Sequence, residues 1–252
     1  MSEKTKNLTY TALMIALVFV ATFSVRIPVP FTQGYIHAGD SMIFVAAILF
    51  GWKMGALAGG VGSALADLLG GYANWVLPTL VIKTVMGGLV GWVAEEKNNK
   101  TKSTVISIIM AVIWFGFSFF TRSIIGKYIN PGSTELISEI DGVTNIQELL
   151  SLSEKLQTQL LWISILIPVI IIGLAFYFNK IDKNLFGVDK LLGMFIAGLW
   201  MVLGYYLAAG FMYGTFIVPV FSIPWNIVQF VIGLVIAYLV IFALKRTPII
   251  KS

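Results

Sequence analysis

Four ionisable side chains lie inside or at the edge of long apolar runs, and these are the residues from which chemistry is expected. They are His37, Asp40, Asp67 and Lys83. In a bilayer such side chains are costly, and they usually pair with one another or line a polar cavity. For Asp67 and Lys83 the sequence leaves two interpretations open, a structural ion pair or a polar cavity that both side chains shape.

Asp40 also has two interpretations. It follows Gly39 and precedes Ser41, so it could be a helix N-cap, or it could contribute to the same polar site. Tyr35 and His37 come just before it in a segment that contains proline and glycine. That segment, residues 26–38, is predicted as a loop, which either covers a binding site or simply connects two helices.

Further polar and aromatic residues occur at the ends of other apolar runs. Asn74 and Trp75 lie in a short turn, although Trp75 could also be an ordinary interfacial aromatic. Asn226 and Gln229 are three residues apart and therefore share one helix face. A site for a small solute needs such a mixture of aromatic walls and a few convergent polar groups.

The elements that must position these residues are membrane helices. Hydrophobic residues make up 58% of the 252 residues and charged residues only 12%, against about 25% charged in a soluble domain. Eight apolar runs are predicted as helices: residues 8–24, 39–52, 55–70, 75–94, 104–125, 160–178, 191–213 and 223–244. The second and third are shorter than the ~20 residues of a full span, so they are short packed helices or one of them is re-entrant. The chain is thus predicted to be an all-α polytopic membrane protein of about eight spans, forming a single membrane domain over 1–252.

The distribution of Lys and Arg predicts the orientation. If the N-terminus is inside and all eight runs cross, twelve of the 17 Lys and Arg residues fall in inside segments. Only Arg26, Arg122, Lys127 and Lys155 fall outside, and Lys83 lies within a helix. Both termini are therefore predicted to be cytoplasmic. The loop 26–38 and the acidic segment 127–155, in which a short amphipathic helix is expected, are placed outside.

Several classes of function are disfavoured by what the sequence lacks. It contains no Cys and a single His, which excludes thiol chemistry and argues against a metal site or a Ser-His-Asp triad. No P-loop motif is present, so any energy from ATP must come from a partner. The net charge of +5 resides in loops, where membrane topology explains it better than nucleic-acid binding does. No enzymatic activity, catalytic residue, metal or cofactor is predicted.

Small residues form stripes that allow helices to approach closely. Gly55 and Gly59 have small-xxx-small spacing, and Gly87 permits similar packing on the next run. On the first helix Ala12 and Ala16 form a smooth stripe suited to contact with another helix, in the same chain or in a partner.

At these residues the chain resembles the substrate-binding S component of an energy-coupling factor (ECF) vitamin transporter, in the riboflavin-type subfamily. The resemblance covers residues 8–94 and 189–244. It is carried by IHAGD (36–40), AILFG (47–51), GGVGSALADLLGGY (59–72), PTLVIK (78–83), GGLVG (87–91), GYY (204–206) and PWNIVQ (224–229) with Gly233. Residues 100–185 depart from the pattern and are interpreted as an inserted pair of helices in a six-helix core.

The resemblance implies a cavity near the outer face, closed by the loop after the first helix. It implies binding of a B-group vitamin or precursor, such as riboflavin, pyridoxine or a hydroxymethylpyrimidine, by residues at the polar positions of this chain. These are Tyr35, His37, Asp40, Asn74, Trp75, Lys83, Asn226 and Gln229.

The resemblance also implies partners and a location. The Ala12 and Ala16 stripe would dock onto a transmembrane coupling subunit, and two ATPase subunits would drive uptake. The location would be the bacterial plasma membrane. Two other functions stay open: a stand-alone proton-coupled carrier with Asp40 or Asp67 as its proton site, and a membrane scaffold or enzyme that transports nothing.

Overall fold

The computed structural model describes residues 2–29, 34–95, 100–138, 140, 142–181 and 188–244. Within these ranges the chain forms eight α-helices and one small antiparallel hairpin. The helices are α1 (Glu3–Ser24), α2 (Gly39–Phe50), α3 (Trp52–Gly70), α4 (Val76–Glu95), α5 (Lys100–Tyr128), α6 (Ile146–Ile181), α7 (Val188–Tyr213) and α8 (Ile223–Leu244). The hairpin pairs β1 (Arg26–Pro28) with β2 (Tyr35–His37).

The all-α polytopic membrane fold predicted from the sequence is confirmed, and the helices follow the eight apolar runs in order. Four segments of the described residues are long and apolar enough to cross a membrane: Glu3–Ser24, Ala73–Ala94, Lys190–Tyr213 and Val218–Leu244. α2 is apolar but has only 12 residues, about 18 Å of helix. The number of crossings and the cytoplasmic placement of both termini stay predictions.

Two glycines separate the short helices of the first half. Gly51 ends α2 with φ 85°, and its N–H donates to the carbonyl of Ala47 at 3.1 Å. Gly71 ends α3 in the left-handed conformation, with φ 88°. A residue with a side chain is strained at such φ values, so these positions fix where α2 and α3 stop. The second and third runs are therefore two distinct helices.

The expected close approach of helices through glycine is confirmed between α3 and α4. A Cβ added at Gly87 would lie 2.1 Å from the carbonyl oxygen of Gly55, and one at Gly59 would lie 2.7 Å from the carbonyl oxygen of Lys83. The backbones of α3 and α4 are thus in contact at the level of Lys83. This contact fixes the position of Lys83 relative to α2 and α3.

The prediction of a loop after the first helix needs correction, because this segment contains the β1–β2 hairpin. Arg26 pairs with His37, and Pro28 with Tyr35. The pairing holds Tyr35 and His37 at the end of the bundle where α2 begins. Residues 30–33 of the predicted loop lie outside the described residues.

The second correction concerns the acidic segment between α5 and α6. The short amphipathic helix expected there is the start of α6, which continues over 36 residues and contains Pro168. Leu149, Leu156 and Leu160 are buried along one face of it. Before it the chain forms a short 3₁₀ turn, Thr134–Ser138; Glu139 and Asp141 lie outside the described residues.

Candidate functional site

A cavity opens at the end of the bundle that the predicted topology places outside. It holds about 600 Å³ of space between its walls, counting the part open to solvent. Its walls come from the hairpin, the end of α3, the start of α4, the end of α7 and the start of α8. The aromatic lining residues are Tyr35, Tyr72, Trp75, Tyr205 and Tyr213, and the main polar ones are His37, Asp67, Thr79, Ser222, Asn226 and Gln229.

The hydroxyl groups on one wall converge on Asp67. The Tyr35 hydroxyl donates to Asp67 Oδ1 at 2.5 Å, and the Thr79 hydroxyl is a second hydrogen-bond partner of this carboxyl. Tyr205 in turn donates to Thr79 Oγ1 at 3.1 Å. Burial, followed by the charge of Asp67 beside it, raises the pKa of Tyr35 far above its usual range. Tyr35 therefore stays a neutral phenol that donates a hydrogen bond to Asp67.

Gln229 joins the hairpin to the charged core behind the cavity. Its Oε1 accepts a hydrogen bond from the backbone N–H of His37 at 3.0 Å, and its Nε2 donates to Asp40 Oδ2 at 2.9 Å. The other carboxylate oxygen of Asp40 forms a salt bridge with Lys83 Nζ, and both side chains are 0% exposed. Lys83 Nζ also lies 3.0 Å from Met201 Sδ. One amide thus bridges the β1–β2 hairpin and a buried ion pair.

His37 contributes a neutral imidazole. Its Nδ1 accepts a hydrogen bond from the N–H of Gly39 at 3.0 Å, which places the proton of the neutral ring on Nε2. Burial, and then the nearby Lys83 charge, lower the pKa of His37 to about 3. The ring therefore carries no charge at physiological pH.

Aromatic rings form the side of the cavity next to α7. The ring centroids of Trp75 and Tyr205 are 5.7 Å apart, and those of Trp75 and Tyr213 are 6.4 Å apart. Tyr35 and Tyr72 are 4.7 Å apart at the mouth. Such rings can hold a flat ring system by stacking and leave its polar edge to the hydroxyl and amide groups.

The structure brings most of the predicted binding residues together. Tyr35, His37, Trp75, Asn226 and Gln229 line the cavity. Asn74 does not, because it is exposed on the 3₁₀ turn that precedes α4.

The two residues of the buried pair lie behind the wall rather than in it. Asp40 and Lys83 are fully buried and contact the cavity wall from behind, Asp40 through Gln229 and Lys83 beneath the Tyr205 ring, 5.4 Å from its centroid. The structure does not form the ion pair considered for Asp67 and Lys83. Lys83 forms its salt bridge with Asp40, while Asp67 lines the cavity. The N-cap interpretation of Asp40 is also wrong, because Ala38 occupies that position.

Sequence reasoning missed several hydroxyl groups of the cavity wall. Thr79, Tyr205, Tyr213 and Ser222 line the cavity, yet none was a candidate. The available signal was a helical one: Thr79 and Lys83 are four residues apart on α4 and so share a face, and Tyr205 stands in an otherwise apolar run.

The outer surface of α1 carries the predicted docking stripe. Ala12 and Ala16 are exposed, whereas Met14 and Val18 are buried against the bundle. Leu13, beside the stripe, is 52% exposed. This smooth apolar face has no partner among the described residues of the chain.

Comparisons with known proteins identify relatives of the chain. A family model described as ECF-type riboflavin transporter, S component, matches residues 2–150 and 152–246. A Pyrococcus woesei protein described as "Uncharacterized protein in gap 3'region" is 48% identical over 101 residues, which are 39% of this chain and 68% of the relative. The thiamine precursor transporter HmpT of Lactococcus lactis subsp. cremoris (strain MG1363) is 28% identical over 134 residues, 51% of this chain and 79% of the relative.

Proposed function

The chain belongs to the family of S components of ECF-type riboflavin transporters, and on that premise we propose that it captures a B-group vitamin or vitamin precursor for uptake powered by partner ATPases. It is a multi-pass protein of the plasma membrane, in a family of transporters rather than enzymes. The observation that carries the proposal is the cavity at the end of the bundle that is predicted to face outside, where tilted and edge-on aromatic rings lie beside convergent hydroxyl, amide and carboxyl groups.

The proposed substrate is a flat heterocycle with polar edges. Trp75 and Tyr205 would stack its ring, while Asn226, Gln229 and His37 would bind its edges. Riboflavin agrees with the family description, and the relative named as a thiamine precursor transporter supports a hydroxymethylpyrimidine. Pyridoxine is a third candidate of the same class.

The hairpin would act as the cover of the occupied cavity. Tyr35 and His37 reach the cavity from β2, and both are tied to the bundle by hydrogen bonds to Asp67 and Gln229. Opening the hairpin would break these two bonds, and closing it over a ligand would restore them. In this proposal Asp40 and Lys83 hold Gln229 in place instead of touching the substrate.

Uptake itself would require partners. A transmembrane coupling subunit would dock on the exposed Ala12 and Ala16 stripe, and two ATPase subunits would supply the energy. The interpretation of residues 100–185 as an inserted helix pair stays a prediction, and the family match extends across this region except at Ser151.

Uptake in cells tests the proposal directly. The full chain is expressed with the coupling subunit and ATPases from its own organism, or with ATPases whose P-loop lysine is replaced. Accumulation of labelled vitamin is expected only with active ATPases and should persist with a protonophore. Uptake that needs no ATPase and collapses with the protonophore would refute the proposal and favour the proton-coupled carrier.

A further inference from the structure

The described lining of the cavity carries a negative charge and no positive charge. Among the described residues that line it, Asp67 is the only acidic side chain, and none is Lys or Arg. His37, the remaining ionisable base of the wall, has a pKa lowered to about 3 and brings no positive charge. A bound ligand therefore meets one carboxylate and otherwise neutral groups.

The neighbouring cations are engaged elsewhere. Lys83 is paired with Asp40 and has no exposed surface. Arg26 donates to the carbonyl of Gly70 at 3.3 Å, and its guanidinium lies over the Phe23 ring at 4.5 Å. Neither cation is among the described residues that line the cavity, although the Arg26 guanidinium comes within 5.9 Å of the Tyr35 ring centroid.

Asp67 keeps unused acceptor capacity. A carboxylate offers about four lone-pair sites, and the two partners of this one are the hydroxyls of Tyr35 and Thr79. Both hydroxyls are neutral, so they orient the carboxylate without neutralising it. Because Asp67 lines the cavity, its free lone pairs are available to a donor on the ligand.

We infer that Asp67 determines which ligands the cavity takes: neutral or cationic heterocycles that direct an amino or ring N–H group at this carboxylate, and not phosphate or carboxylate forms of the same compounds. A donor on the ligand gains a charge-assisted hydrogen bond in a site largely removed from water. An anionic group would be buried near a like charge, and no Lys or Arg side chain among the described lining residues would pair with it directly. This inference rests on the proposed function and specifies the substrate class of its site.

The same geometry assigns Tyr35 and Thr79 as positioning residues. They hold the carboxylate from two different elements, one from the hairpin and one from α4. Since Tyr35 belongs to the hairpin, displacing the hairpin would remove one of these two hydroxyl partners and leave Thr79 as the other. Selection by charge and closure of the cavity are therefore linked through one hydrogen bond.

The test compares three neutral compounds with their own phosphate esters. Riboflavin and flavin mononucleotide, pyridoxine and pyridoxine phosphate, and hydroxymethylpyrimidine and its phosphate are titrated by calorimetry into the full chain in nanodiscs. The variants are Asp67→Asn, which keeps the shape but removes the charge, and Glu154→Gln, a matched control at an exposed acid outside the cavity. Thermal unfolding verifies that each variant is folded.

At least one parent compound is expected to bind, with its phosphate ester about 100-fold weaker or worse. Asp67→Asn should weaken the parent roughly 10- to 100-fold, the range for a lost hydrogen bond to a charged group. It should also reduce the discrimination against the ester at least about tenfold, while Glu154→Gln changes neither. The comparison of parent with ester in the unaltered chain needs no variant and stands even where Asp67→Asn fails to fold.

Two contrary results have different meanings. If a parent compound binds but its ester binds within about threefold, or Asp67→Asn leaves parent binding unchanged, the role of Asp67 is refuted and the proposed function stands. If none of the compounds binds the folded chain, the proposed function fails and the inference fails with it.

Discussion

Replacing Lys83 by Met tests whether the buried ion pair holds the site together. The substitution keeps the length of the side chain and removes its charge. Asp40 would then remain fully buried with the Gln229 amide as its remaining side-chain hydrogen-bond partner. Removing one partner of a buried pair typically costs about 3–5 kcal/mol, because the other charge is left uncompensated.

The burial of this pair places the expected cost in that range rather than near zero. Both side chains are 0% exposed, whereas a surface pair would contribute about 0–1 kcal/mol. For a chain of this size, 1 kcal/mol shifts the unfolding temperature by about 2–4 °C. Lys83→Met should therefore lower it by roughly 6–20 °C.

Unfolding of the purified chain in one detergent, followed by tryptophan fluorescence, measures the effect. The matched control is Lys53→Met, since Lys53 is exposed and should change the unfolding temperature by a degree or two at most. In the double variant Asp40→Asn with Lys83→Met no charge is left unpaired. It should be more stable than Lys83→Met alone, giving a favourable coupling in the double-mutant cycle.

The reasoning would be refuted in either of two ways. One is that Lys83→Met costs no more than Lys53→Met. The other is that the losses from Asp40→Asn and Lys83→Met simply add in the double variant. Additive losses would mean that the two residues act independently and that the pair does not stabilise the wall behind Gln229.

Three further outcomes are expected. The pKa of His37 is about 3 in the folded chain and ~6.5 in an unfolded chain, so on acidification the unfolded state takes up a proton first. The free energy of unfolding should therefore fall by about 2 kcal/mol between pH 7 and 5. In a denaturant titration this pH dependence should vanish in His37→Gln. Gly87→Ala should destabilise the chain in thermal unfolding because its Cβ would meet the α3 backbone at 2.1 Å, whereas Gly126→Ala, with open space around it, should be neutral or stabilising. Ala12→Leu should abolish ATP-driven uptake while ligand binding persists, and the same change at the exposed Ala243 of α8 should affect neither; loss of binding in Ala12→Leu would contradict a docking role.

The sequence predicted the helices well, and it singled out residues that the structure brings close to one cavity, for a physical reason. An ionisable residue in an apolar run is so costly in a bilayer that its presence marks a pair or a cavity, and His37, Asp40, Asp67 and Lys83 all lie in or beside one. The small-residue spacing on α3 and α4 likewise predicted a real contact, because small residues such as glycine let two helix backbones approach closely.

The pairing of those residues could not be predicted. The sequence places Asp40, Asp67 and Lys83 in the same outer half of the membrane. Which carboxylate pairs with Lys83 depends on how α2 and α3 are rotated about their axes. The contact of Gly59 with the backbone of Lys83 fixes that rotation. Tyr205 was missed because a tyrosine in an apolar helix looks like a packing residue until its hydroxyl partner, Thr79, is known.

The two-stranded hairpin was missed for a different reason. Its strands have three residues each, too few for an alternating pattern, and Pro28 is a residue that usually argues against a strand. The pairing is local, between the ends of one short segment. The contacts of the hairpin depend on the tertiary structure, in which Tyr35 bonds to Asp67 and His37 bonds to Gln229.

Native mass spectrometry of the detergent-purified full chain, with an absorbance scan of any released small molecule, tests the central claim most directly. Binding by this cavity predicts one flavin, pyridine or pyrimidine per chain, either retained through purification or taken up when the three compounds are supplied. A folded chain that neither retains nor takes up any of them would contradict its assignment as a vitamin-binding subunit.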